Sequence, residues 1–416
     1  MTLIALAVLA AVVTALSWGR QAVWSLRLAL NFPPTLPPAD PPDDAWPFVT
    51  VCVPLRGSDP VLGEMLRGLC RQEYPRYEVR IVVDSESDPA WVTIREVTAE
   101  FPHVKIHTSV LTERLETCSL KVSALLQAFK EMDWQTGVVA LIDADVVPPP
   151  HWLRELVRPF DNPKVAATTG LRWYHTDSRA WGSLVRGLWG AGAAAQMYSL
   201  DVLWGGTLAF RAGVVRDPGL RQLWSNSFVE DTSVVQYLRQ RGGQMRVLPR
   251  LTMINPEATT LGGCYRFLRR QMVCMRLHHP AWTNILLTTV GMAAAPPMCL
   301  SVAAASFWSG MDGLAWTLLG VLAAGVLGAG LPLVYIDWYF WRTAPPDKPL
   351  STLHPKHVPV VPLTVLVHLA AVVAACRVRE VDWRGIRYAV EPGGRVRRLN
   401  DSPYLEAPAD GAHSIV

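Results

Sequence analysis

Hydrophobic positions along the chain fall into three regimes. Residues 3–16 are almost continuously apolar, and the run 2–18 is close to the lower limit of about 17 residues for a spanning helix. From Phe48 to about Asn255, short apolar runs alternate with amphipathic stretches. The period predicts strands at 49–53, 78–83, 104–107 and 138–142, with helices at 62–72, 91–101 and 120–132 between them. Strands separated by helices imply βαβ units and a mostly parallel sheet. Beyond this come three long apolar stretches, 284–310, 314–341 and 358–378. Pro296-Pro297 is expected to bend or interrupt the first, and Pro359 and Pro362 the start of the third.

These regimes predict a membrane anchor helix at 1–20, an α/β domain at 48–280, membrane segments at 282–378 and a basic tail at 379–416. Residues 33–47, with Pro33, Pro34, Pro37, Pro38, Pro41 and Pro42, read as a stiff linker. No positive segment precedes the first apolar run, whereas Arg20 and Arg27 follow it. That pattern fits a signal anchor better than a cleaved signal peptide and places the next domain in the cytoplasm. Four spans would then put the tail outside, although its arginines favour the cytoplasm. One segment being re-entrant or lying along the interface would resolve the conflict, and the sequence leaves the choice open.

Composition strengthens the membrane reading. Half of the 416 residues are hydrophobic and 18% are charged, against about a quarter charged in soluble domains. A net charge of +4 gives no case for nucleic acid, which calls for a concentrated basic face. The seven cysteines form no CxxC pair, so neither a disulfide framework nor a zinc site is indicated, which suits a reducing compartment.

Three acidic clusters carry candidate chemistry. Asp84 ends the apolar run Ile81-Val82-Val83, and Asp88 follows; ligands of open parallel sheets bind beyond the carboxyl ends of the strands. A turn-forming role is the alternative. Asp143 and Asp145 end the strand at 138–142, where two carboxylates one residue apart can hold a hard divalent cation, Mn2+ or Mg2+. Such a cation would also hold a diphosphate. Glu230-Asp231 opens an amphipathic helix: N-terminal charge compensation explains it, and so does a general base at Asp231. A single base without a covalent intermediate implies inversion at the sugar. Gly205-Gly206 allow close backbone approach to a ligand, and Arg270-Gln271 lie in an arginine-rich segment just before the membrane stretch, which reads equally as positive-inside flanking charge and as a diphosphate-binding segment of the donor site.

Taken in order, these clusters resemble a family 2/21 glycosyltransferase: strand-end Asp, DxD, ED, then Q/RxxRW. The segment Pro54-Leu55-Arg56-Gly57-Ser58-Asp59-Pro60, the run Tyr74-Pro75-Arg76-Tyr77-Glu78-Val79 and Ser87-Asp88-Pro89-Ala90 are similar to motifs of ceramide glucosyltransferases and their bacterial lipid and hopanoid relatives. The resemblance covers about residues 48–280. It implies an α/β GT-A fold, a Rossmann-like nucleotide-sugar-binding domain, with transmembrane helices at both ends of the chain. By the same resemblance Asp84, Asp88 and Lys121 bind the donor, Asp143 and Asp145 hold a UDP–metal complex, and Asp231 is the base. It further implies a UDP-sugar donor (UDP-glucose, or UDP-N-acetylglucosamine in hopanoid-type relatives), a membrane lipid hydroxyl such as that of ceramide as acceptor, and residence in a bacterial-type inner membrane. The last motif departs from the pattern: after Arg270-Gln271, Val273 and Cys274 stand where Arg-Trp is expected, with Arg276 or Trp282 as possible substitutes. A processive polysaccharide synthase would need that Arg-Trp pair and more spanning helices, and a non-catalytic scaffold would not need the intact carboxylates.

Overall fold

The computed structural model describes residues 2–35, 39–176, 178–344, 357–391, 394–402 and 404. Pro37, Pro38 and the tail beyond residue 404 lie outside the described residues. The first helix, α1 (Thr2–Ala29), runs past the expected limit at residue 20, with one π-helical turn at Ala15–Gly19. Beyond that turn it becomes amphipathic. Trp24, Leu28 and Ala29 pack with Ala191, Ala194 and Ala195, so tertiary burial carries the helix on after the apolar run ends.

The catalytic domain contains β1 (Val49–Leu55), α2 (Leu62–Cys70), β2 (Tyr77–Val83), α3 (Ala90–Glu100), β3 (Ile106–Val110), α4 (Leu120–Glu131) and β4 (Val138–Ile142). These are followed by β5 (Val165–Tyr174), α5 (Trp181–Leu200), β6 (Thr207–Arg211), α6 (Glu230–Gln240), β7 (Gln244–Asn255) and α7 (Leu261–His278), with shorter helices between. The seven strands form one sheet in the order β3-β2-β1-β4-β6-β5-β7. β1 to β4 pair in parallel and only β6 runs against its neighbours. The sheet's central strands are buried on both faces, which is why they read as nearly unbroken apolar runs, whereas the edge strands β3 and β7 are only partly covered. Val49, Val51 and Val53 of β1 face Met65 and Leu69 of α2, while Cys52 faces the opposite layer with Val122, Leu125 and Phe129 of α4.

Three further long helices follow: α8 (Trp282–Trp308), α9 (Asp312–Thr343) and α10 (His357–Arg377). With α1 they make four helices long and apolar enough to cross a membrane among the described residues. The interruptions expected at the prolines do not occur: Pro296-Pro297 lie within continuous α8 and Pro362 within α10. The tail is not a detached extension. It forms a three-stranded sheet, β8 (Glu380–Trp383), β9 (Ile386–Val390) and β10 (Val396–Arg398), whose Val381, Ile386, Tyr388 and Val396 enter the main core.

Candidate active site

The parallel strands β1, β2 and β4 deliver Arg56, Asp84, Asp143 and Asp145 to one edge of the sheet, where a cavity of about 230 Å3 opens. Lys121, in the first turn of α4, and Asp231, in the first turn of α6, also line it. The α4 start is fixed by Ser119, whose hydroxyl accepts from the Val122 amide at 3.2 Å.

Lys121 organises the floor. Its Nζ lies 2.7 Å from Asp143 Oδ1 and 2.7 Å from Glu230 Oε1. Burial opposes the lysine charge, but Asp143 and Glu230 outweigh it and raise its pKa. The two carboxyl groups respond in opposite directions. Burial pushes Asp143 up, yet Lys121 pulls harder and holds it below the usual range. In Glu230, which is only 1% exposed, burial wins over Lys121, and Asp231 adds repulsion, so the pKa is pushed up to about 7. Burial likewise raises Asp231, against the pull of Lys121 and of two backbone amides. Those amides are Gly205, donating to Oδ2 at 2.9 Å, and Thr232, donating to Oδ1 at 2.6 Å. Gly205 must lack a side chain: a Cβ there would lie 2.0 Å from Glu230 Oε1.

Asp145 differs from its neighbour. Half-buried on the cavity wall, it has no hydrogen-bond or ion-pair partner among the described residues. No cluster of three or more His, Cys, Asp or Glu side chains placed to hold a metal occurs among the described residues. A cation here would need oxygens of a substrate to complete its shell.

Of the residues singled out in the sequence, Asp84, Lys121, Asp143, Asp145, Asp231, Arg270 and Gln271 line the cavity. Asp88 does not. It is buried and accepts from the amides of Gly57 and Ala90, both at 2.9 Å, bracing the β1–α2 turn and the start of α3. Gly205 and Gly206 lie behind the cavity wall, the first serving Asp231 through its amide. Asp84 meets the cavity already paired, to Arg56 and to Arg114 at 3.0 Å. Val273 is buried in the core and Cys274 lines the cavity as a neutral thiol. Neither suggested substitute takes over. Arg276 donates to the carbonyls of Cys376 and Val378, at 2.9 and 3.1 Å, and Trp282 packs against the core.

Sequence reasoning missed Arg172, which lines the cavity with its guanidinium 4.4 Å from the Trp204 ring, and the tail residues Trp383 and Arg384. Arg172 lies near the carboxyl end of β5, where only the sheet order reveals its neighbours. A second cavity, of about 200 Å3, lies between α1, α5 and the long helices, with mainly apolar walls and Gln21 and His368 as polar points. Trp189, Ala193, Met197, Val202, Gln271 and Met275 line both cavities and form a common wall.

The chain is similar to several known proteins. A beta-monoglucosyldiacylglycerol synthase of Synechocystis sp. is 27% identical over 164 residues, 36% of this chain and 33% of that protein. A ceramide glucosyltransferase of Komagataella phaffii is 36% identical over 56 residues, 14% of this chain and 11% of that protein. The matched regions thus span a third or less of these curated relatives. A mannosyltransferase from Pyrobaculum calidifontis, solved with GDP-Man and Mn2+, superposes over 89% of this chain and 98% of its own, with 19% identity and a TM-score of 0.49. The model of Glycosyl transferase family 21 matches residues 2–396, nearly the whole chain. The chain belongs to glycosyl transferase family 21.

Proposed function

We propose that the protein transfers a hexose, glucose first among the candidates, from a UDP-sugar to a hydroxyl group of a membrane lipid, inverting the anomeric centre. The observation that carries this reading is the common wall between the two cavities. It joins a charged cavity at the strand ends to an apolar one among helices long enough to cross a membrane. Such a junction suits an acceptor with an apolar body and a reacting hydroxyl, entering from the bilayer side while the donor enters from water.

In this reading Asp231 is the base. Its raised pKa keeps it closer to the working pH of a proton acceptor than an ordinary aspartate, and its two backbone amides fix its orientation. The acceptor's hydroxyl proton passes to Asp231 as its oxygen bonds to the anomeric carbon. The bond from that carbon to the donor phosphate oxygen breaks on the opposite face, and the electron pair leaves with the nucleoside diphosphate. Lys121 keeps Asp143 ionised and in place, and Asp84 with Arg56 and Arg114 forms the nucleoside end of the cavity. The unpartnered, half-buried Asp145 fits a divalent cation, with Asp143 beside it. When bound, that cation would supply charge neutralisation for the departing diphosphate.

The test is nucleotide release by the purified protein in detergent, with UDP-glucose, UDP-N-acetylglucosamine and UDP-galactose, manganese or magnesium, and ceramide, diacylglycerol and hopanoid acceptors. Release that depends on one acceptor and disappears in Asp231→Asn is expected. Release with water alone, or none despite bound nucleotide across the whole panel, would count against lipid transfer.

A further inference from the structure

The turn joining β8 to β9 pairs Trp383 with Ile386 and leaves Arg384-Gly385 as a two-residue loop. Its φ angles are +50° at Arg384 and +77° at Gly385. Both loop positions of this tight hairpin require positive φ, and Asn-Gly is the preferred pair there. Arginine is an unfavourable choice for the first position, since its Cβ crowds the backbone in the left-handed region. An outlier of this kind points towards a role for the side chain.

That side chain is aimed at the cavity. Arg384 Nη2 donates to both oxygens of Asp59, at 2.9 and 2.8 Å, and Nη1 to the Arg56 carbonyl, while Arg56 Nε donates back to the Arg384 carbonyl at 3.1 Å. The hairpin tip is thereby tied to the turn after β1, and Arg384 Nε keeps no hydrogen-bond partner among the described residues. Beside it, the Arg270 guanidinium lies 5.3 Å from the Trp383 ring. Arg172 and Arg270 have no carboxylate partner within ion-pair distance among the described residues. Arg172, Arg270 and Arg384 therefore face one cavity beside the Asp84-paired Arg56, with Asp145 the nearby carboxylate left without a partner of its own. Like charges gathered at this density are what an anion with several oxygens would stabilise.

We propose that the C-terminal hairpin completes the donor site, with Arg384 joining Arg172 and Arg270 to bind the diphosphate and Trp383 holding Arg270 in position. The hairpin thus brings an arginine and a tryptophan to a cavity whose α7 wall offers Cys274. This assignment rests on the nucleotide-sugar reading above.

The unusual turn supplies the test. Arg384→Asn, made together with Asp59→Asn so that no buried carboxylate is stranded, removes the cation while installing the residue the turn prefers, so thermal stability is expected to hold. Affinities are measured in detergent for matched pairs of UDP and UMP, GDP and GMP, ADP and AMP. The variant is expected to lose about 10-fold or more in affinity for the diphosphate the wild type prefers, with little change for its monophosphate. Arg384→Lys should recover part of that loss, and Trp383→Ala should weaken diphosphate binding by a smaller factor. Equal loss for both members of a pair would make the hairpin a structural brace, and unchanged affinity for both would remove it from the site; either overturns the assignment. Wild-type protein that binds none of the six nucleotides would overturn the nucleotide-sugar reading, and the hairpin's role with it.

Discussion

The charged cavity at the strand ends and the apolar cavity among the long helices share a wall, yet different forces hold their side chains in place. In the first, Lys121, Asp143, Glu230, Arg56, Asp84 and Arg114 are cross-linked by ion pairs, so removing one member strands another. Charged groups left unpaired in a buried site are strongly destabilising. In the second, contacts are apolar and individually weak, and their losses accumulate gradually. The charged site should fail abruptly and the apolar one by degrees.

Asp231→Asn gives the largest expected effect, a fall in turnover of about 10²- to 10⁴-fold with nucleotide affinity nearly unchanged. Equal losses in both would move Asp231 from proton transfer to donor binding. Lys121→Met comes next. It strands Asp143 and the buried Glu230 together and should lower unfolding free energy by about 3 kcal/mol, read from denaturant titration in detergent. Asp145→Ala should leave stability within about 0.5 kcal/mol, since that carboxylate has no partner to strand, while abolishing any gain in nucleotide affinity from manganese. A large stability loss there would erase the contrast between the two carboxylates.

Glu230→Gln sharpens the electrostatic side through pH. A carboxyl group whose pKa rises to about 7 on folding binds its proton more tightly folded than unfolded. Its contribution to stability is complete below the ordinary value of 4.5 and is lost as pH rises through about 7. The difference in melting temperature between wild type and Glu230→Gln should therefore shift in favour of the variant between pH 5 and pH 8, on the order of a few degrees. Buried His278, whose pKa is lowered to about 4, tilts both proteins equally and cancels in the difference. The smallest effect belongs to the shared wall. Ala193→Trp should raise the KM for a lipid acceptor several-fold while donor affinity stays constant, and a matching change in donor affinity would mean the two cavities act as one.

The parallel half of the fold is legible where both faces of its strands are buried: 138–142 is matched by β4 without a shift, whereas the 104–107 run, on the half-exposed edge strand, moves to Ile106–Val110. The carboxylates at strand ends are legible for the same reason, since a strand's end marks where the ligand edge lies. What the sequence hides depends on topology. Arg172 reaches the site only because β5 returns beside β6, and Asp88, placed like a ligand in the sequence, is consumed by the amides of Gly57 and Ala90. Trp383 and Arg384 follow α7 by more than a hundred residues, and no local pattern reports that the chain comes back.

That return also constrains how the chain threads a membrane. The domain before α8 and the tail after α10 touch through Arg384 and Asp59 and through Arg114 and Asp401, so both lie on the same side. Whatever the sidedness, the chain between them makes an even number of crossings. α8 and α9 pack with each other and with α1, and α10 packs along α5, α7 and α8, with Val360, Ala371, Val372 and Ala375 in the main core. An odd number of crossings among α8, α9 and α10 would part Arg384 from Asp59, so at most two of the three cross.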